Sequence, residues 1–283
     1  MKRREFIQNS VFTAASLVAL PSFLVASKAK TKIGLQLYTL RDTINNNPKE
    51  ILKQVAGFGY KELETYSYAD GKIFGMPFQD FVSCVRDFGM EVTSGHYPLG
   101  MASGDQWKKA VEDAKKARQP YMVVPWIEEN ERKSIDDYKR ICETLNKAGE
   151  VTNQHGIRFG YHNHAFEFEA LDGQVPFDLM LKECDPKLVS MELDLYWVYR
   201  AGYDPVTYFK NHPGRFEQWH VKDMDPTNKE RNADIGTGTI DFRSLFEHAK
   251  LSGLKHFYVE QETYPGKPID SVQASIANLK KLL

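Results

Sequence analysis

Four short stretches end in side chains that bind divalent cations. They are Tyr161-His162-Asn163-His164 with Glu167 just beyond, Glu192-Leu193-Asp194, His220-Val221-Lys222-Asp223 and Val259-Glu260-Gln261-Glu262. Each closes a short apolar run. Acids inside such runs are uncommon unless paired or metal-bound. Carboxylates and imidazole meeting at one point form a site for Mn²⁺, Mg²⁺, Co²⁺ or Zn²⁺. Glu192 and Asp194 are two apart and share a strand face, with Asp194 nearer the strand end and the better ligand. Glu260 follows Phe257-Tyr258-Val259 on the same logic, with Glu262 as its fallback. His220 closes the run from Phe216, and Asp223 or a backbone carbonyl is the expected acceptor for its second ring nitrogen. His162 and His164 also share a face. One can bind metal while the other works as acid or base. Spacing leaves open which of His162, His164 and Glu167 touches the ion.

These four stretches sit in a regular alternation. Strand-like segments fall at 33–38, 60–65, 90–97, 121–126, 157–164, 188–194, 215–222 and 255–260. Helix-like segments fall at 48–58, 77–88, 105–117, 134–154, 177–183, 205–211, 242–251 and 270–283. Proline near a helix start and glycine after its end mark several boundaries. Strands alternating with helices predict a parallel sheet covered by helices, and eight units predict closure into a (β/α)8 TIM barrel. All four ligand-bearing ends would then open on one face. A doubly wound open sheet is the alternative, but no GxGxxG follows the first strand. Other strand-end residues that would line a pocket are Tyr38, Glu64, His96, Trp126, Tyr196 and Trp197; aromatics there serve either sugar binding or packing. Residues 224–240 form a long polar loop carrying Arg231 and Gly236-Thr237-Gly238, placed where a functional loop is expected.

The 283 residues suit one barrel, and a net charge of -1 gives no signal for nucleic acid or an anionic membrane. The three cysteines, Cys84, Cys142 and Cys184, are scattered and read as small buried apolar groups, not as a disulfide framework. The first residues differ from the rest. Lys2-Arg3-Arg4-Glu5-Phe6-Ile7 precedes an uncharged apolar stretch over 11–26, and Ser27-Lys28-Ala29 offers small residues for cleavage. This layout reads as a twin-arginine-type signal peptide over 1–29, with a barrel over 30–283 and a periplasmic destination. No stable membrane insertion is expected after processing, since no later segment is long and apolar enough.

The motifs Tyr-His-Asn-His-Ala-Phe-Glu-Phe (161–168), Glu-Leu-Asp-Leu-Tyr-Trp (192–197), His-Val-Lys-Asp-Met (220–224) and Val-Glu-Gln-Glu (259–262) together resemble the xylose isomerase-like barrel superfamily, whose members are often labelled sugar phosphate isomerases/epimerases. The resemblance runs from about Lys32 to the C-terminus. It implies one divalent ion, Mn²⁺ foremost, held by Glu, Asp, His and Glu from strands five to eight. Asp194, His220 and Glu260 match directly. The family often has Glu at the place of His162, so Glu167 is expected to supply the missing carboxylate. His162 or His164 then serves as acid/base. The implied reaction is isomerisation or epimerisation of a sugar or keto-sugar through an enediolate, with Lys222 neutralising the developing oxyanion. Relatives with a similar Tyr-His-Asn-His act on inososes or 3-keto-glycosides, so a lyase or hydrolase at the same site is the runner-up. A non-catalytic periplasmic sugar-binding barrel is a third reading, and an apurinic-site endonuclease is disfavoured by the charge and the export signal. Export also favours unphosphorylated substrates. A homo-oligomer is expected by analogy.

Overall fold

The computed structural model describes residues 31–283. The expected signal segment over 1–29 lies outside the described residues. Eight parallel strands form the centre: β1 Gly34–Gln36, β2 Glu62–Thr65, β3 Glu91–Gly95, β4 Tyr121–Val124, β5 Arg158–His162, β6 Val189–Asp194, β7 Gln218–Val221 and β8 His256–Val259. Their lateral order is β3-β2-β1-β8-β7-β6-β5-β4. A parallel bridge between His96 and Val123, with Tyr97 N–H donating to the Val123 carbonyl at 2.8 Å, joins β3 to β4 and completes the ring. The expected barrel is therefore present, with every strand where the sequence placed one.

Local chemistry explains the helical layer. Pro48, Pro176, Pro205 and Pro268 open helices at positions whose N–H groups lack an intrahelical partner in any case. Ser134 and Asp137 form a reciprocal capping box at the start of Ile135–Gln154. Asp204 and Asp241 cap two further helices. The helix expected over 242–251 breaks at His248 into Phe242–Glu247 and Ala249–Ser252. Two short helices were not foreseen, Leu99–Ala102 and Leu195–Arg200; the second starts directly after β6, capped by Asp194 itself, whose Oδ1 accepts the Trp197 N–H at 3.0 Å. At the β1–β8 seam the sheet leaves no room at Gly34, where a Cβ would strike the Tyr258 ring and the Phe257 carbonyl. Cys142 and Cys184 are buried as expected, while Cys84 is only partly so, and all three are free thiols. No helix among the described residues is long and apolar enough to cross a membrane.

Strand register sets the interior. Asp194 lies beside His220, Glu192 beside Gln218 and His162 beside Glu192. Because side chains alternate along each strand, this register turns Gln36, Glu64, Glu192, Gln218 and His220 to one buried polar zone, each fully shielded from solvent.

Candidate active site

Ligand atoms of His162, Asp194, His220 and Glu260 lie within 4.8 Å of one another, and all four side chains are buried. They come from the C-terminal ends of β5 to β8, the face where barrels of this kind carry their chemistry. Each is oriented by its neighbours. Asp194 spends Oδ1 on the helix cap, which leaves Oδ2 facing the cluster, where the Lys222 ammonium lies 3.1 Å away. The Asn163 side-chain oxygen accepts the Asp194 backbone N–H at 3.0 Å and fixes the strand end. His220 Nδ1 is 2.9 Å from Glu260 Oε2, and its Nε2 is 2.6 Å from Glu64 Oε2. A carboxylate on the far nitrogen of a ligand imidazole sets its tautomer and raises its basicity. Glu64 therefore plays the part expected of Asp223. Asp223 instead accepts backbone N–H groups of Met224, Gly236, Gly238 and Ile240, and so organises the 224–240 loop.

Below this ring lies a second layer. His96 Nε2 is 2.8 Å from Glu192 Oε2 and 3.2 Å from Glu64 Oε2, and Gln36 Nε2 donates to Glu64 at 2.7 Å. His96, His162, Glu192 and His220 also bring ligand atoms within 4.8 Å of one another. Glu192, ranked behind Asp194 by its place in the strand, is thus the link between His96, His162 and His220. Gln36 was not foreseen, although a polar residue in an apolar first strand was its signal.

The charges are closely matched. Burial disfavours charge on His220, but Glu192, Glu260 and Glu64 outweigh it and hold its pKa well above the ordinary histidine range. His96 behaves alike and is raised to about 9 by Glu64 and Glu192 against burial. Lys222 is fully buried, with Nζ 2.7 Å from Glu260 Oε2, 2.7 Å from Glu262 Oε1 and 3.1 Å from Asp194 Oδ2. Those carboxylates overcome the burial penalty and keep it protonated. Burial, with Glu64 nearby, pushes Glu192 up to about 7. His162 moves the other way: burial, then His220, holds it well below its ordinary value, so it is neutral. A neutral imidazole is the form that binds a metal ion.

Glu167 is not brought to the cluster. It lies in the 3-10 turn Phe166–Phe168, which folds back under β5. Its carboxylate accepts the Tyr161 O–H at 2.5 Å and the His164 N–H at 2.9 Å, both oxygens being committed there. Burial raises its pKa to about 7. The donor that β5 sends to the ring is His162, where the sequence had pointed to Glu167. His164 sits beyond the strand end, lines the cavity and has an unpartnered Nδ1. Burial and Lys222 hold it near 3, so it too is neutral.

A cavity of about 680 Å³ opens above the ring, and His96, Trp126, His162, His164, Trp197 and Glu260 are among its walls. Four expected pocket residues lie elsewhere, and two of them, Glu64 and Lys222, are buried behind the cavity wall. Tyr196 turns away and donates its O–H to the Lys229 carbonyl, and Arg231 is exposed in the loop. Tyr66, Tyr68, Glu128 and Glu131 also line the cavity and were missed. They lie in the loops that follow β2 and β4, where no ligand motif drew attention.

The donor set suits a divalent ion. Two neutral or displaceable imidazole nitrogens and two carboxylates converge, and His162 Nδ1 is buried without a hydrogen-bond partner. A parallel barrel with such donors at its strand ends is the framework of metal-assisted barrel enzymes. The chain belongs to the xylose isomerase-like TIM barrel family, whose sequence profile matches residues 52–282. It is 25% identical over 164 residues to the inosose dehydratase of Geobacillus thermodenitrificans, a match covering 52% of this chain and 54% of that one. The chain spans about half the length of the curated relatives it matches. Among solved structures, a sugar phosphate isomerase/epimerase from Parabacteroides distasonis superposes with a TM-score of 0.78 at 29% identity, covering 92% of this chain and 98% of the other. The 3-keto-D-glucoside 4-epimerase of E. coli shares the fold, with a TM-score of 0.66 at 18% identity over 89% of this chain and 100% of the other.

Proposed function

We propose that the protein is a divalent-metal-dependent enzyme that isomerises or epimerises a sugar or keto-sugar by moving a proton at a carbon next to a carbonyl. The observation that carries this reading is the pairing of the ring His162, Asp194, His220 and Glu260 with a neutral, unpartnered His164 on the cavity side. Those four residues would hold the ion. When bound, it supplies Lewis-acid polarisation of adjacent hydroxyl and carbonyl oxygens. Two imidazoles beside two carboxylates suit Mn²⁺, Co²⁺ or Zn²⁺ better than Mg²⁺, which prefers oxygen donors.

The remaining steps belong to the chain's own side chains. His164 is in its base form and accepts the proton from the substrate carbon. Tyr161 and Glu167 fix the position of His164 through its backbone N–H. Lys222, expected from the sequence to neutralise the oxyanion, is instead buried behind the cavity wall, where it stays protonated and holds Asp194, Glu260 and Glu262 in place. Glu260 orients Lys222 and His220 together. Returning the proton to the opposite face gives an epimer, and returning it to the neighbouring carbon gives an isomer.

A second reading, elimination from a 3-keto-glycoside, uses the same deprotonation followed by departure of the β-substituent as its alcohol, and addition of water to the resulting double bond completes a net hydrolysis. The dehydratase relatives favour it. Export to the periplasm through the twin-arginine start is part of the proposal. The test is incubation of metal-loaded and EDTA-treated protein in D₂O with ketoses, inososes and 3-keto-glucosides, followed by NMR. Metal-dependent loss of a substrate C–H signal with an intact skeleton supports the isomerase, and release of the substituent supports the lyase or hydrolase. Exchange that is unaffected by EDTA overturns both.

A further inference from the structure

We infer that the cavity takes an uncharged glycoside whose second ring lies on the aromatic mouth, and that it turns away phosphorylated sugars. This rests on the metal-dependent sugar chemistry proposed above and names its substrate class. The first observation is electrostatic. The cavity wall carries Glu128, Glu131, Glu260 and Glu262 and neither a lysine nor an arginine. The cations close behind the wall are engaged by other groups. Lys222 serves three carboxylates. Arg41 donates to the Glu262 and Tyr38 carbonyls and to the Tyr264 hydroxyl. Arg132 donates to the Ile127 carbonyl, and Arg200 to Glu230 and Tyr196. A phosphate at the mouth would meet Glu128, Glu131 and Glu262, and no cationic side chain lines the cavity to answer it. Phosphate sites are built from the opposite pattern, with arginine, lysine or bundled N–H groups converging.

The second observation is the mouth itself. Among the described residues only four large apolar side chains are exposed, and two of them, Tyr38 at 39% and Trp126 at 40%, stand at this opening. Both are held in place. Arg41 lies 4.7 Å over Tyr38, and Arg132 lies 5.6 Å from the Trp126 ring centre while stacking on Phe166 at 3.5 Å. The Trp126 ring meets the His164 ring edge-on at 4.9 Å, and Trp197 is tilted over His164 at 5.3 Å. A solvent-facing aromatic plate therefore adjoins the base. The volume, about 680 Å³, falls within the roughly 300–1,000 Å³ of pockets that enclose drug-sized ligands, more than one pyranose needs. One ring at His164 leaves a second over Trp126.

Calorimetric titration of the full-length, metal-loaded protein with methyl β-glucoside, phenyl β-glucoside and glucose 6-phosphate tests this. The phenyl glucoside should bind about three- to tenfold tighter than the methyl glucoside, the range one aromatic stack supplies. Glucose 6-phosphate should bind more weakly than either. Trp126→Ala should shrink the phenyl-to-methyl ratio towards one, with Tyr38→Ala as the companion if the first variant folds poorly. Glu128→Lys should bring in binding of the phosphate. Phosphate binding as tight as that of the methyl glucoside, a phenyl advantage that is absent or survives both aromatic substitutions, or no binding of any of the three overturns the inference. Metal-dependent deuterium exchange is measured separately, so its failure would strike the parent reading and not this one.

Discussion

Replacing Lys222 with methionine removes a buried cation from among three carboxylates while keeping much of its volume. Nζ lies 2.7 Å from Glu260, 2.7 Å from Glu262 and 3.1 Å from Asp194. The Glu262 side chain is one-third exposed, so solvent screens its share and it adds little. Asp194 and Glu260 are shielded and would be left with uncompensated charge. Breaking such a pair costs about 3–5 kcal/mol. For a barrel of this size each kcal/mol moves the melting point by about 2–4 °C, so the metal-free variant should melt roughly 6–20 °C below the metal-free wild type. Burial already raises the Asp194 pKa, with Lys222 opposing it. The deficit should therefore be largest near neutral pH and shrink as pH falls, when a proton takes the place of the ammonium. A divalent ion brings its own positive charge to Asp194 and Glu260, so metal-saturated variant and wild type should melt closer together than the metal-free pair. Differential scanning calorimetry of EDTA-treated and metal-saturated samples at pH 7 and pH 5 gives all four comparisons. Equal melting points for the metal-free pair, or a gap that metal does not narrow, would refute the charge-compensation reasoning.

Other expectations concern single residues. Glu64→Gln should weaken metal binding about 10- to 100-fold by removing the anionic partner of His220 Nε2, read by calorimetric titration; an unchanged affinity would dissociate Glu64 from the site. Both His220 nitrogens face carboxylates, and its pKa is held well above the ordinary value, so an entering ion must displace a proton. Below that raised pKa the proton competes, and affinity should rise by up to about tenfold per pH unit between pH 6 and 8; a flat profile would contradict it. Glu167→Gln should keep full metal stoichiometry with reduced turnover, whereas His162→Ala should lose the ion, both by elemental analysis. Asp223→Ala should cost about 2–4 kcal/mol in denaturant unfolding, because it strands several backbone N–H groups of the 224–240 loop; a loss below 1 kcal/mol would show that water replaces the carboxylate.

The barrel was legible because each strand is a compact apolar run and each main helix carries its own punctuation, such as Pro48, Pro205 and the Ser134–Asp137 box. Asp194, His220 and Glu260 were legible for the same reason: a ligand at the end of an apolar strand stands out from its neighbours. The fifth-strand donor was not. Choosing between His162 and Glu167 depends on the turn at Phe166–Phe168, which takes the Glu167 carboxylate to Tyr161 and away from the ring. Spacing along the chain does not reveal that fold-back. The partner of His220 was hidden for a different reason. Asp223 is near in sequence, but Glu64, 156 residues away, reaches Nε2 across the barrel, and only the ring closure and strand register put it there. The aromatic mouth was half visible: Tyr38 and Trp126 end strands, while Tyr66, Glu128 and Glu131 come from loops whose paths no periodicity sets.

The most direct test is an anomalous-scattering map from crystals of the full-length protein grown with Mn²⁺ or Zn²⁺, recorded at that metal's absorption edge. One peak is expected per chain, within bonding distance of His162, Asp194, His220 and Glu260 and away from Glu167. A peak bound by Glu167, or no peak at the strand ends in metal-saturated crystals, would contradict the metal site on which the proposed chemistry depends.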